Sequence, residues 1–292
     1  MSATLIDGRQ AASYLKKKIA GHVSVLQREH GIVPGLAILR VGDNPASQLY
    51  VNSKCRQSEE VGIHAFPHYL PEHARRDQVI EAIMRLNADP LVHGIIVQLP
   101  LPEHLNSLEI IDCIDPRKDV DGLHPTNLGH LMMGGKGYVP CTPQGCLMLL
   151  KTVHKSLKGL HAVIIGRSNL VGKPLSFLLL QENCTVSVVH TKTQNIAQEC
   201  QRADILIAAV GQPRLVKAHW IKPGATVIDV GINFLVNADG SSDVVGDVDF
   251  EVAKDVAGAI TPVPGGVGPM TVACLLKNVV DAAQSYAERA SR

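Results

Sequence analysis

The chain has 292 residues, with 28 Lys+Arg against 27 Asp+Glu and a formal net charge of +1, a balance that excludes a broad basic footprint for nucleic acid or an anionic membrane. Aromatic residues are only 3% with a single Trp, which leaves no platform for stacking single-stranded bases. Hydrophobic residues at 46% and charged residues at 19% are globular composition, no apolar run reaches the ~18 residues of a membrane span, and the length fits about two domains at ~150 residues each.

The N-terminal stretch Met1–Gln10 lacks the basic segment and apolar core of a secretory signal, and it lacks the Arg- and Ser-rich lead of a transit peptide. The seven cysteines are odd in number and include no C-x-x-C, so a disulfide framework is not expected and a reducing compartment is. A cytoplasmic location is the expectation.

Gly35–Val41 is an apolar run between Pro34 and Gly42 and reads as a buried strand. Asn44 then caps a helix with Pro45 at its first position, running through Tyr50 and Lys54 to near Gly62. A strand at Ile63–Leu70 and a helix at Asp77–Leu86 follow, the helix with an apolar stripe of Val79, Ile80, Ile83, Met84 and Leu86. A third strand spans Val92–Gln98. This alternation predicts parallel strands with crossover helices. A second α/β half begins near Tyr138. It has a helix at Leu147–Val153, a strand at His161–Ile165, a helix from Pro174, and strands at Thr185–His190, Ile205–Val210 and Thr226–Val230. An amphipathic helix, Met270–Glu288, closes the chain and is expected to dock back on the first domain.

In Gly166-Arg-Ser168-Asn-Leu-Val-Gly172-Lys-Pro174 a strand ends in glycine and a helix opens. Such a helix N-terminus offers N–H groups and a positive dipole end to a pyrophosphate. It is not G-x-G-x-x-G, because Ser168 replaces the second glycine. It is not a P-loop, because Pro174 follows Lys173. From the loop alone, an ordinary β-turn-α connection is an equal reading. The next strand runs into His190-Thr191-Lys192-Thr193, without the acid that binds a ribose 2′-OH in NAD enzymes. Hydroxyls and a Lys there, with Arg167 across the loop, suit a 2′-phosphate and favour NADP.

Tyr50 and Lys54 are four apart on one helical face, and Gln98 ends a strand at the edge where open α/β sheets bind ligands. A Gln amid Ile-Ile-Val and Leu-Pro-Leu-Pro needs a partner or a ligand. Asp119-Val-Asp121-Gly122 is half a calcium loop without its remaining ligands; a carboxylate in that turn is better suited to an amino-pyrimidine edge. Thr261–Thr271 combines prolines and glycines and suits the lining of a cleft. His and Cys spacing matches no zinc site, so no metal is expected.

Together these segments resemble one family, the bifunctional methylenetetrahydrofolate dehydrogenase/cyclohydrolases. The matches are Tyr50-Val-Asn-Ser-Lys54, Val97-Gln-Leu-Pro-Leu-Pro102, Lys118-Asp-Val-Asp-Gly122, Pro140-Cys-Thr-Pro143, Gly166-Arg-Ser168 and Pro262–Thr271, in the family's order over nearly the whole chain. The resemblance implies an α/β fold of two domains flanking a cleft, the second a Rossmann-like doubly wound parallel sheet. Residues 1–139 plus 270–292 would bind folate and 140–269 would bind NADP. It implies oxidation of 5,10-methylenetetrahydrofolate with NADP, then hydrolysis of the methenyl product to 10-formyltetrahydrofolate.

By matching positions, Lys54 would move the proton, Gln98 would partner it, Asp121 would anchor the pterin and Tyr50 would form an aromatic wall. Val97, Leu99, Pro264, Gly265, Gly266, Val267 and Gly268 would line the folate site. Gly166, Arg167, Ser168, Thr191, Ile232 and Thr271 would hold the cofactor. Thr191 departs from the family's usual Ser and keeps the hydroxyl. The family resemblance also implies a homodimer. Alternatives are another NADP-dependent dehydrogenase on the same frame, of shikimate or amino-acid type, a dehydrogenase without the hydrolase, and a non-catalytic nucleotide-binding protein.

Overall fold

The computed structural model describes residues 2–236 and 242–290. In chain order its elements are β1 (Thr4–Leu5), α1 (Gly8–His30), β2 (Gly35–Val41), α2 (Pro45–Glu59), β3 (His64–Leu70), α3 (Arg76–Ala88), β4 (Gly94–Val97), α4 (Ser107–Asp112), α5 (Pro125–Met133), α6 (Cys141–Val153), β5 (His161–Ile165), α7 (Gly172–Gln181), β6 (Thr185–Val189), α8 (Ile196–Cys200), β7 (Ile205–Ala208), β8 (Thr226–Asp229), β9 (Asn233–Val236), β10 (Ser242–Val245), α9 (Phe250–Ala253), β11 (Ala259–Ile260) and α10 (Val267–Ala290). They divide into two units. One holds Met1–Ser13 and Pro140–Thr271, the other Tyr14–Val139 and Val272–Arg292.

The unit containing Tyr14–Val139 is built on a three-stranded parallel sheet ordered β3-β2-β4. β2 is the central strand and every residue of it is buried, which is why it reads as a continuous apolar run. One face carries Ala37, Leu39 and Val41 against Val79, Ile83 and Leu86 of α3. Met84, expected in that stripe, is instead exposed, since it falls on the far side of the helix. Gly94 admits Val120 beside β4: a Cβ there would lie 2.7 Å from Val120 Cγ1.

The other unit is a six-stranded parallel sheet ordered β1-β11-β8-β7-β5-β6. Sequence order reverses at β5, with β6 on one side and β7 and β8 on the other, as in a doubly wound fold. Val163, Ile165, Leu206, Ala208 and Val227 form its core with Val189, Val216 and Ile260.

Three expectations change. The first thirteen residues group with Pro140–Thr271, because β1 pairs in parallel with β11 (Thr4 beside Ala259, Leu5 beside Ile260). Two residues carry too little pattern for that pairing to be read locally. Helix α6 starts at Cys141, six residues before the expected Leu147, because Pro143 sits in the first turn, where its missing N–H costs nothing. Helix α1 was not among the predicted elements, although Ala12, Leu15, Ile19, Val23 and Leu26 are its buried face. Among the described residues no helix is long and apolar enough to cross a membrane.

Candidate active site

Helix α2 begins where Asn44 Oδ1 accepts the Ser47 N–H at 3.1 Å and Pro45 takes the first helical position. That start sets the helical phase. Val51 and Ser58 turn inward, Lys54 is half-buried and Tyr50 is exposed. Lys54 Nζ donates to Gln98 Oε1 at 2.9 Å. Gln98 Nε2 donates to the Leu99 carbonyl at 2.7 Å. This second bond determines which end of the amide is oxygen, so the lysine amine meets an acceptor and not a second donor. The Gln98 backbone N–H donates to the Leu39 carbonyl at 2.8 Å, which holds the residue at the carboxyl end of β4 beside β2. Val97 and Leu99 flank it there, Val97 buried and Leu99 partly so.

Asp119 pairs with Ile95 of β4 in a parallel bridge. Asp121, two residues on, therefore comes at the sheet edge where β4 ends. The Asp119 carboxylate is buried and accepts from the His124 N–H and from Asn127 Nδ2, both at 2.8 Å; burial pushes its carboxyl above the ordinary range. Asn278 Nδ2 donates to the Val120 carbonyl at 2.8 Å, and Gly122 turns the chain at φ 73°. Asp121 is thus held from both sides while its own side chain stays half-buried.

In the other unit the loop from β5 to α7 is closed by two glycines. Gly166 has φ 113°, and a Cβ on it would lie 2.1 Å from the Ala209 carbonyl oxygen. A Cβ on Gly172 would lie 2.2 Å from the Gly166 carbonyl oxygen. Ser168 Oγ accepts the Val171 N–H at 3.1 Å and so closes the turn that leads into the helix. The two glycines let the loop backbone pack closely in front of a helix N-terminus, an arrangement that fits a pyrophosphate. The register places Ile165 beside Val189; two residues beyond these come Arg167 and Thr191, both exposed. No carboxylate lies in His190–Gln194 to repel a 2′-phosphate.

Residues 6–121 match the catalytic domain of "Tetrahydrofolate dehydrogenase/cyclohydrolase", and residues 140–287 match the NAD(P)-binding domain of the same name. The chain belongs to the tetrahydrofolate dehydrogenase/cyclohydrolase family. It is 56% identical over 279 residues to the "Bifunctional protein FolD 2" of Paracoccus denitrificans (strain Pd 1222), covering 96% of this chain and 92% of that one. The bifunctional enzyme from Campylobacter jejuni has a solved structure that superposes with a TM-score of 0.93 at 44% identity, covering 97% of this chain and 99% of that one. The Trypanosoma brucei enzyme, solved with NADP cofactor and an inhibitor, gives a TM-score of 0.92 at 38% identity, covering 100% and 99%.

The family positions fall into two sets. Tyr50, Lys54, Val97, Gln98, Leu99 and Asp121 lie in the unit with the three-stranded sheet. Gly166, Arg167, Ser168, Thr191, Ile232 and the Pro264–Thr271 segment lie in the other. In the latter, Ile232 is exposed, and its Cδ1 would lie 3.7 Å from a Cβ on Gly268. Gly265 has φ 114°. Gly266 packs on Thr261, where a Cβ would lie 2.7 Å from the threonine Cβ. Thr271 Oγ1 is 3.0 Å from Thr142 Oγ1.

Sequence reasoning missed two buried carboxylates of this family member, Asp229 and Asp247. Each sits next to, or two residues from, a glycine, in Asp229-Val-Gly231 and Gly246-Asp247, and that pattern was the available signal.

Proposed function

We propose that this chain oxidises 5,10-methylenetetrahydrofolate to the 5,10-methenyl cation with NADP, and then hydrolyses the cation to 10-formyltetrahydrofolate. The observation that carries this reading is the Lys54–Gln98 hydrogen bond at the carboxyl edge of β4, within a chain whose two family domains are both present. NADP, when bound, supplies the hydride acceptor. The Gly166–Gly172 loop and the helix start behind it would hold the pyrophosphate, with Arg167 and Thr191 on the 2′-phosphate.

Hydride transfer asks the protein for position more than for acids and bases. Asp121 would accept from the pterin amino-pyrimidine edge, and Tyr50 would lie against the ring face. Val97 and Leu99 would line the rest of the folate on this unit. Hydrolysis asks for a proton acceptor. Water adds its oxygen to the methenyl carbon and loses a proton to the Lys54 amine. The carbon–N5 bond then breaks, N5 takes a proton, and the carbon stays on N10 as a formyl group. One proton is released overall.

A lysine in water is protonated at neutral pH. Beside the cationic substrate the ammonium form would be disfavoured by like-charge repulsion, and the amine's side-chain hydrogen bond is to the neutral Gln98 amide oxygen. Gln98 would hold the amine at the reacting carbon through its fixed carbonyl oxygen. We also read the protein as a cytoplasmic homodimer: the cysteines are odd in number and include no C-x-x-C, which suits a reducing compartment, and the dimer is what the family resemblance implies.

The test is a progress curve with enzyme, methylenetetrahydrofolate and NADP. NADPH should appear first, and methenyl absorbance should then decay at an enzyme-dependent rate. NADPH formation without enzyme-dependent decay would leave only a dehydrogenase; neither signal would refute both steps.

A further inference from the structure

We infer that Asp229 and Asp247 are positioning residues that hold the loops after β7 and β8 in place for the nicotinamide end of the dinucleotide. The inference rests on the NADP reading above and adds residues that reading does not use.

The two carboxylates organise that edge of the sheet. Asp247 Oδ2 accepts the Val210 N–H at 2.7 Å and the Gly211 N–H at 3.0 Å. Its Oδ1 accepts the Gln212 N–H at 2.9 Å and Asn233 Nδ2 at 3.0 Å. Three successive backbone donors after β7 are thereby gathered on one side chain. Asp229 Oδ1 accepts the N–H groups of Gly231 at 3.0 Å and Asp247 at 2.9 Å, and its Oδ2 accepts that of Val248 at 2.9 Å. The Asp229 N–H donates to Thr261 Oγ1 at 2.8 Å. Space is reserved for both acids. A Cβ on Gly231 would lie 2.3 Å from Asp247 Oδ1, and one on Gly246 would lie 1.8 Å from Asp229 Oδ2.

Topology says which end of the ligand this edge serves. A dinucleotide crosses a doubly wound sheet at the strand where the order reverses, here β5. Arg167 and Thr191 mark the β5–β6 side as the adenosine side. The nicotinamide therefore falls on the β7–β8 side, where the Asp247 and Asp229 hydrogen bonds set the path of the loops, including the one that presents Ile232. A buried carboxylate such as Asp247, with two hydrogen bonds at each oxygen, holds such loops more rigidly than a neutral group does.

The test uses two nucleotides that share the adenosine side. Kd for NADP and for 2′,5′-ADP, which lacks the nicotinamide half, is measured by calorimetry on the full-length wild type, Asp247→Asn and Asp229→Asn. Asp247→Asn turns one pair of acceptors into donors facing donors. It should raise Kd for NADP about tenfold or more while changing Kd for 2′,5′-ADP less than about twofold. Asp229→Asn loses one acceptor site and should shift the ratio in the same direction by less, which keeps the test decisive where Asp247→Asn does not fold. Equal weakening of both nucleotides, or weakening of neither, overturns the positioning role. A wild type that binds neither nucleotide overturns the NADP reading itself, and this inference with it.

Discussion

Lys54 donates to Gln98 across 44 residues of sequence, at 2.9 Å, because helix α2 leaves the carboxyl end of β2 and the parallel strand β4 ends beside β2 at that same sheet edge. Lys54→Met keeps the length of the side chain and removes the amine. Cyclohydrolase turnover should fall by about 10²–10⁴-fold, the usual worth of a positioned acid or base. The check is the decay of methenyl absorbance; a variant as active as wild type would end the assigned role. Gln98→Leu should lower the same rate by removing the amine's acceptor.

Arg167 and Thr191 each lie two residues beyond the paired Ile165 and Val189, where the proposed function puts the adenosine 2′-phosphate. The wild type should prefer NADP to NAD by kcat/KM. Arg167→Ala should cut kcat/KM for NADP by about ten- to a hundredfold, as expected for losing a charge-assisted bond to phosphate, with little change for NAD. Steady-state kinetics with both nucleotides decide the matter, and a wild type faster with NAD contradicts it.

Gly166 and Gly159 both have positive φ, 113° and 83°, but only Gly166 is crowded, with nothing within 4 Å of a Cβ on Gly159. Gly166→Ala should destabilise by about 2–4 kcal/mol and weaken NADP binding, whereas Gly159→Ala should cost only about 1 kcal/mol of backbone strain. Urea midpoints for the two variants make the comparison. Equal losses would mean that the contact with Ala209 is not the cause.

Burial, with a smaller push from the Asp247 charge, raises the Asp229 carboxyl to about 7 against the pull of three N–H donors. The folded chain thus holds a proton that the unfolded chain has already released. Its contribution to stability is complete below the ordinary carboxyl range near 3.8 and is lost as pH rises through about 7. Asp229→Asn lacks this proton, so its melting temperature relative to wild type should rise between about pH 5 and about pH 8. Thermal melts at both values test it; a constant difference would show that Asp229 does not titrate there.

The sequence by itself determined whatever is encoded locally. The apolar run of β2, the Asn44-Pro45 helix start, the glycine-bounded turn after β5 and the Tyr50–Lys54 spacing each depend on neighbouring residues, and each was legible. Tertiary structure alone decided the rest. Strand β1 pairs with β11, more than 250 residues away, through backbone groups that every residue carries, so no side-chain pattern announces it. Asp229 and Asp247 look like surface acids in the sequence. They are buried because distant N–H groups converge on them and two glycines leave them room, and a charge can leave water only where such donors replace its hydration.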